Sequence, residues 1–143
     1  MPSEAGFVVR KSAMAIEDCL VVLVDDDRSV RVALARLFRS AGLNFVAFES
    51  AEEFLQSSSV DSAGCLIADV RMPRMQGLEL QQICRRKRPS LPIIIISAFN
   101  DDDAETRAIE AGARAFLHKP FDPTGLLNLV KKALGKENGS NES

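Results

Sequence analysis

The stretch Cys19–Arg31, CLVVLVDDDRSVR, runs from five apolar residues, Leu20 to Val24, straight into three consecutive carboxylates, Asp25, Asp26 and Asp27. A continuous apolar run of this length reads as a strand buried on both faces. Three like charges at its end repel one another, and the apolar neighbourhood makes their desolvation worse. Either they form an acidic, solvated turn or they gather a cation. Taken alone, the triplet would most simply cap the helix that follows.

Working outward, short apolar strands alternate with helical patterns. The strands are LVVLV (20–24), NFVAF (44–48), GCLIAD (64–69), PIIIIS (92–97) and AFLHK (115–119). After the first, Val30, Leu34, Leu37, Phe38 and Ala41 form one apolar helix face, which Gly42 stops. Ser50 and Glu53 make a capping box for a short second helix carrying Phe54 and Leu55. Leu80, Ile83 and Cys84 mark a third helix, ended by Pro89. DDDAETRAIEAGA (101–113) is a fourth, with a weak apolar face and acids in its first turn. Asp122 and Pro123 give the cap and first position of a fifth, with Leu126, Leu127, Val130 and Leu134 inward.

Five strand–helix units predict an α/β fold, a doubly wound parallel sheet with helices on both faces. Strands 1, 3 and 4 are continuously apolar, whereas strands 2 and 5 carry polar residues and read as edges. The flavodoxin-like order 2-1-3-4-5 satisfies this; the other common doubly wound order leaves strand 3 at an edge. The expected organisation is an N-terminal extension over 1–18, one domain over 19–135, and a polar tail or start of a linker over 136–143.

Ligands of such sheets bind beyond the carboxyl ends of the strands, near the switch in strand order. Asp25, Asp26 and Asp27 stand there after strand 1, Asp69 after strand 3, Ser97 after strand 4 and Lys119 after strand 5. Lys119 starts two strands from Asp69, roughly 10 Å away, a gap its flexible stem largely closes. Carboxylates without nitrogen or sulfur donors make a hard-oxygen site suited to Mg²⁺. A hydroxyl and an ammonium opposite would hold phosphoryl oxygens. Metal, attacking carboxylate and donors together form an aspartyl-phosphate apparatus. Each residue alone has a blander reading as a cap or a solvated charge; their convergence on one sheet edge decides against it.

Composition narrows the rest. The 143 residues carry a net charge of −2, with 46% hydrophobic and 27% charged residues, as in a globular domain without an extended nucleic-acid surface. No apolar run approaches the roughly 20 residues of a membrane span. At the start, Phe7 to Val9 is too short an apolar patch for a signal-peptide core. Cys19, Cys65 and Cys84, an odd number without CxxC spacing, suit reduced thiols and a cytoplasmic protein. His118, the single histidine, reads as an exposed edge-strand residue with no acid in sequence reach to orient it. The run Arg85-Arg86-Lys87-Arg88 reads as a solvated helix end, with partner binding as the second reading.

VLVDDDRSVR (22–31), GCLIADVRMPRMQGLEL (64–80), IIIISAFND (93–101) and ARAFLHKPF (113–121) together resemble the receiver domain of bacterial two-component response regulators. The resemblance spans residues 19 to about 134 and is strongest to receivers of the nitrogen-fixation and nitrate-regulator type. It implies that Asp69 accepts a phosphoryl group from a sensor histidine kinase or phosphotransfer protein. Asp26 would bind Mg²⁺ directly, Asp25 largely through water, with Asp69 and the Arg71 carbonyl completing the protein ligands. Ser97 and Lys119 would hold the phosphoryl oxygens, and the small Ala98 would leave room for them. Ser97 and Phe116 would form the switch, acting on the surface of the fourth helix, fifth strand and fifth helix, a possible homodimer face. The Lys119-Pro120 bond would be cis. Asp27 receives no role; Phe99 and the Arg71 side chain would flank the site. Such a domain catalyses only its own phosphorylation and dephosphorylation. Contact with DNA is expected only through an output domain, which this chain does not supply, and no membrane contact is expected.

Two other classes compete. A haloacid-dehalogenase-type phosphohydrolase would use Asp25 as nucleophile in Asp25-x-Asp27, but Ser29 stands where its motif needs Thr or Val, and Asp69 would be idle. A flavodoxin-like electron carrier would need a phosphate loop of Ser, Thr and Gly where the three acids stand.

Overall fold

The computed structural model describes residues 20–98 and 102–135. The extension over 1–18, the tail over 136–143, Cys19 and Phe99 lie outside the described residues. The five strands are β1 (Val21–Val24), β2 (Phe45–Phe48), β3 (Cys65–Asp69), β4 (Ile93–Ser97) and β5 (Ala115–His118). All pairings are parallel, in the order β2-β1-β3-β4-β5. The interleaved helices are α1 (Arg28–Ser40), α2 (Ala51–Leu55), α3 (Ser59–Ser62), α4 (Gly77–Lys87), α5 (Asp102–Glu110) and α6 (Pro123–Ala133).

Alternation along the strands divides the core into two layers. Val22, Val24, Leu66, Ala68, Ile93 and Ile95 face Phe54, Leu80, Cys84, Ala104 and Ala108 of α2, α4 and α5. Val21, Leu23, Cys65, Ile67, Ile94 and Ile96 face Leu34, Phe38, Leu126 and Val130 of α1 and α6. The central strands β1, β3 and β4 are buried throughout, whereas β2 and β5 are partly exposed, as expected of the two edge strands. Burial pushes the thiols of Cys65 and Cys84 up to about 12 and about 11, leaving both as inert core residues.

The helix ends follow local chemistry. Ser50 Oγ accepts the Glu53 amide and Asp122 accepts the amides of Thr124 and Gly125. Gly42, with φ of 82°, takes the left-handed conformation that ends α1. The short α3 was not expected. Its carbonyl end is held from a distance: the Arg88 guanidinium donates to the carbonyls of Val60, Asp61 and Ala63. Arg85 likewise donates to the Ala111 carbonyl beyond α5. Arg85 and Arg88 are therefore structural ties as well, while Arg85, Arg86 and Lys87 stay exposed to solvent. A further unexpected tie is Gln81, buried in α4, whose Nε2 donates to the Ala108 carbonyl of α5 at 3.0 Å.

Candidate phosphoryl-acceptor site

β1 and β3 are adjacent, with Val24 in register with Ala68, so Asp25 and Asp69 leave the sheet side by side. Both are buried, Asp25 completely, while Asp26 is exposed. One carboxylate oxygen from each of Asp25, Asp26 and Asp69 falls within 4.8 Å of the others. Asp25 Oδ1 accepts the Asp27 amide at 2.9 Å, and its carbonyl accepts from Arg31 at 2.9 Å. Lys119 Nζ reaches Asp25 Oδ2 at 2.9 Å and Asp69 Oδ2 at 3.4 Å, closing the two-strand gap. Asp69 Oδ1 is buried without a hydrogen-bond partner.

Burial, then the adjacent Asp25 charge, pushes the Asp69 carboxyl up to about 7 against the pull of Lys119. Burial alone would lower Lys119, but its contacts with Asp25 and Asp69 outweigh this and hold the ammonium above its ordinary value. An all-oxygen donor set with an orphaned carboxylate oxygen fits a hard cation. The cluster is a group of acids able to hold a metal ion.

Asp27 stands apart. It caps α1, accepting from the Ser29 amide and hydroxyl, and those bonds hold its carboxyl below the ordinary range. The triplet is thus divided: one helix cap and two members of the acidic pocket.

Ser97 is buried at the end of β4, one residue past the register partner of Asp69, and its carbonyl accepts the Lys119 amide at 2.7 Å. Ala98 follows it and is exposed. Arg71 lies two residues past Asp69 in the loop to α4 and is exposed. The Lys119-Pro120 bond is cis. Phe116 already sits inside, 9% exposed, in the cluster with Ala104 and Ala108. His118 does have an acidic neighbour: its Nε2 lies 3.5 Å from Glu105 Oε1 on α5. The tertiary fold brings that acid to it from α5.

Gly77 supports the site and was missed by motif reading. A Cβ there would overlap the Asp69 carbonyl, and the Gly77 amide donates to the Val70 carbonyl at 3.0 Å. Only a glycine lets α4 start this close to the strand that carries Asp69. The glycine in MQGLEL was its one local signal. Beside Lys119, a groove of about 610 Å³ runs between α1 and the loop after β5, lined by Val30, Ala33, Leu34, Leu37, Pro120 and Phe121 among others.

Comparison with known proteins agrees with this geometry. Residues 21–131 match the response regulator receiver domain. Nodulation protein W of Bradyrhizobium diazoefficiens is 42% identical over 124 residues, covering 87% of this chain and 55% of that protein. Response regulator protein TodT of Pseudomonas putida is 42% identical over 115 residues, covering 80% and 51%. The DNA-binding transcriptional regulator NtrC of Klebsiella pneumoniae is 40% identical, covering 78% of this chain and 24% of its own length. The chain spans about half the length of the first two relatives. Among solved structures, the response regulator StyR superposes with a TM-score of 0.74 at 41% identity, covering 81% of this chain and 59% of that one. FixJ-N superposes with a TM-score of 0.72 at 32% identity, covering 81% and 93%. The phosphohydrolase reading gains no support from any of these. No described helix is long and apolar enough to cross a membrane. With its doubly wound sheet, its acidic pocket and relatives of this kind, the chain belongs to the response regulator receiver family.

Proposed function

We propose that Asp69 is the phosphoacceptor and that residues 19–135 act as a Mg²⁺-dependent phosphorylation switch. The observation that carries this is the Asp69 carboxylate itself. Its Oδ2 is tied to Lys119, while its Oδ1 is buried without a partner inside a cluster of three acids. Asp69 Oδ1 attacks the phosphorus of a phosphohistidine on a sensor kinase or phosphotransfer protein. The P–N bond breaks and its electron pair returns to the imidazole. Asp25, Asp26, Asp69 and the Arg71 carbonyl would hold the ion. When bound, Mg²⁺ neutralises the carboxylates and the incoming phosphoryl oxygens. Lys119 exchanges its carboxylate contacts for a phosphoryl oxygen, Ser97 donates its hydroxyl to another, and Ala98 leaves them space. The groove beside Lys119 offers a protein donor an apolar surface that small phosphodonors do not need.

The output we assign to the face formed by α5, β5 and α6. Helix α5 buries only Ala104 and Ala108, so two packings of it lie close in free energy. Phe116 is already packed inside, so α5 moves around it, and phosphorylation changes self-association or partner binding there. Beyond its own phosphorylation and dephosphorylation, the domain carries out no reaction, and DNA is reached only through an output domain.

Acetyl phosphate with Mg²⁺ tests the assignment. Intact mass should show one phosphoryl group and peptide mapping should place it on Asp69. Label on Asp25 instead would return the phosphohydrolase reading.

A further inference from the structure

The loop leaving the end of β3 is held at its far end by a different part of the chain. Arg74 has φ of 63°, the only non-glycine in the left-handed region among the described residues. That conformation carries a steric cost, and something must hold it. Glu52 of α2 faces it. Glu52 Oε2 accepts the Met75 amide at 3.2 Å and lies 3.6 Å from Arg74 Nε.

The ion pair alone explains little, because the Arg74 side chain is 70% exposed and such pairs contribute weakly. Glu52 also keeps its Oε1 buried without a hydrogen-bond partner, an unfavourable arrangement for a carboxylate. The base beneath it is firm: Ala51 and Phe54 are fully buried, and Ser50 caps the helix. At its near end the loop is closed by the Val70 amide on the Ile96 carbonyl, at 2.9 Å, and by the Gly77 amide on the Val70 carbonyl. Arg71, buried Met72 and Pro73 lie between these two anchors.

We infer that Glu52 is a positioning residue for the phosphoryl-acceptor site. By holding Arg74 and Met75, it fixes the loop backbone that carries the Arg71 carbonyl two residues past Asp69. The inference rests on the reading of Asp69 as phosphoacceptor and of that carbonyl as a metal ligand. Loss of Glu52 lets Arg74 relax out of its left-handed conformation, and the carbonyl drifts with it. The consequence is a higher Mg²⁺ requirement, with chemistry preserved once the ion is saturating.

The test is Mg²⁺ affinity of the full chain by calorimetric titration, together with the Mg²⁺ dependence of acetyl phosphate labelling read by intact mass. Glu52→Ala should raise half-saturating Mg²⁺ about tenfold, the lower end of losses seen when partners of metal ligands are removed. Its labelling rate at saturating Mg²⁺ should match the wild type. Glu52→Gln keeps an acceptor for the Met75 amide and should shift less. Adding Arg74→Gly to Glu52→Ala should lower the requirement again, since glycine adopts this φ without the steric cost. Melting without Mg²⁺ reports folding, and if Glu52→Ala melts below the assay temperature the Gln variant carries the comparison. Unchanged half-saturation in a folded variant, a uniform rate loss at every Mg²⁺ concentration, or no recovery with Arg74→Gly would each overturn the inference. Wild-type chain that fails to label on Asp69 would overturn the site assignment instead.

Discussion

Lys119 Nζ lies 2.9 Å from Asp25 Oδ2, closer than its 3.4 Å to Asp69 Oδ2. Before phosphorylation, therefore, the ammonium serves chiefly as counter-charge to a fully buried carboxylate. Lys119→Ala should leave the Asp25–Asp69 pair uncompensated and cost about 3 kcal/mol at neutral pH, as when one partner of a buried ion pair is removed. Mg²⁺ should restore much of the loss by taking the same counter-charge role. Urea unfolding with and without the ion measures both; a deficit insensitive to Mg²⁺ would contradict the shared role.

Asp69 makes stability depend on pH. Its carboxyl is raised from 3.8 to about 7, so between those values the folded chain holds a proton that the unfolded chain has released. Folding stability should therefore decline as pH rises through this window and level off above about 7. Asp69→Asn should flatten that slope and add on the order of 1–3 kcal/mol above the window, while abolishing acetyl phosphate labelling. Mg²⁺ should stabilise the wild type most at the alkaline end, where the carboxylate is ionised. Because the chain has no Trp or Tyr, far-ultraviolet circular dichroism is the suitable readout. A pH slope that persists in the Asn variant would place the titration elsewhere.

Asp26 and Asp27 are adjacent but predicted to behave differently. Asp26→Asn should remove most Mg²⁺ binding, whereas Asp27→Ala should lower the melting temperature through loss of the α1 cap and leave Mg²⁺ binding intact. Calorimetric titration, repeated with beryllium fluoride, separates the two. Equal losses in both variants would argue against the divided triplet.

Gly77→Ala should cost about 1–3 kcal/mol, because the added methyl meets backbone and not a side chain that can swing away. Since the displaced group is the Asp69 carbonyl, labelling should slow as well. A variant with normal stability and normal labelling would show that α4 can start elsewhere.

Ser97→Ala should still accept phosphate at Asp69, more slowly, and respond poorly on the face of α5, β5 and α6. Amide exchange with and without beryllium fluoride follows the response over residues 102–134. Protection changes limited to the Asp69 pocket in the wild type would sink the proposed output surface.

Strand order, strand ends and the convergence of Asp25, Asp26, Asp69, Ser97 and Lys119 were legible in the sequence. They follow from local apolar runs, and a parallel sheet then sends all its carboxyl ends the same way. The resemblance set Asp27 apart from Asp25 and Asp26, but its role as the α1 cap was not legible: Asp27 and Asp26 have the same chemistry, and only the backbone direction at the start of α1 separates cap from pocket. Nor were Glu52 on the Met75 amide, Arg88 on the α3 carbonyls, Gln81 on Ala108, or Glu105 beside His118. Each is a polar contact between segments distant in sequence, made with a backbone group or an acid on another element. Periodicity records which face of an element is buried, but it does not record which carbonyl or amide a side chain meets once the layers are stacked. The raised Asp69 carboxyl belongs to the same class, because burial and the Asp25 charge arise only when β1 and β3 lie side by side. The local sequence determined the sheet and its functional edge; tertiary packing decided which polar atoms found partners there and left Asp69 Oδ1 without one.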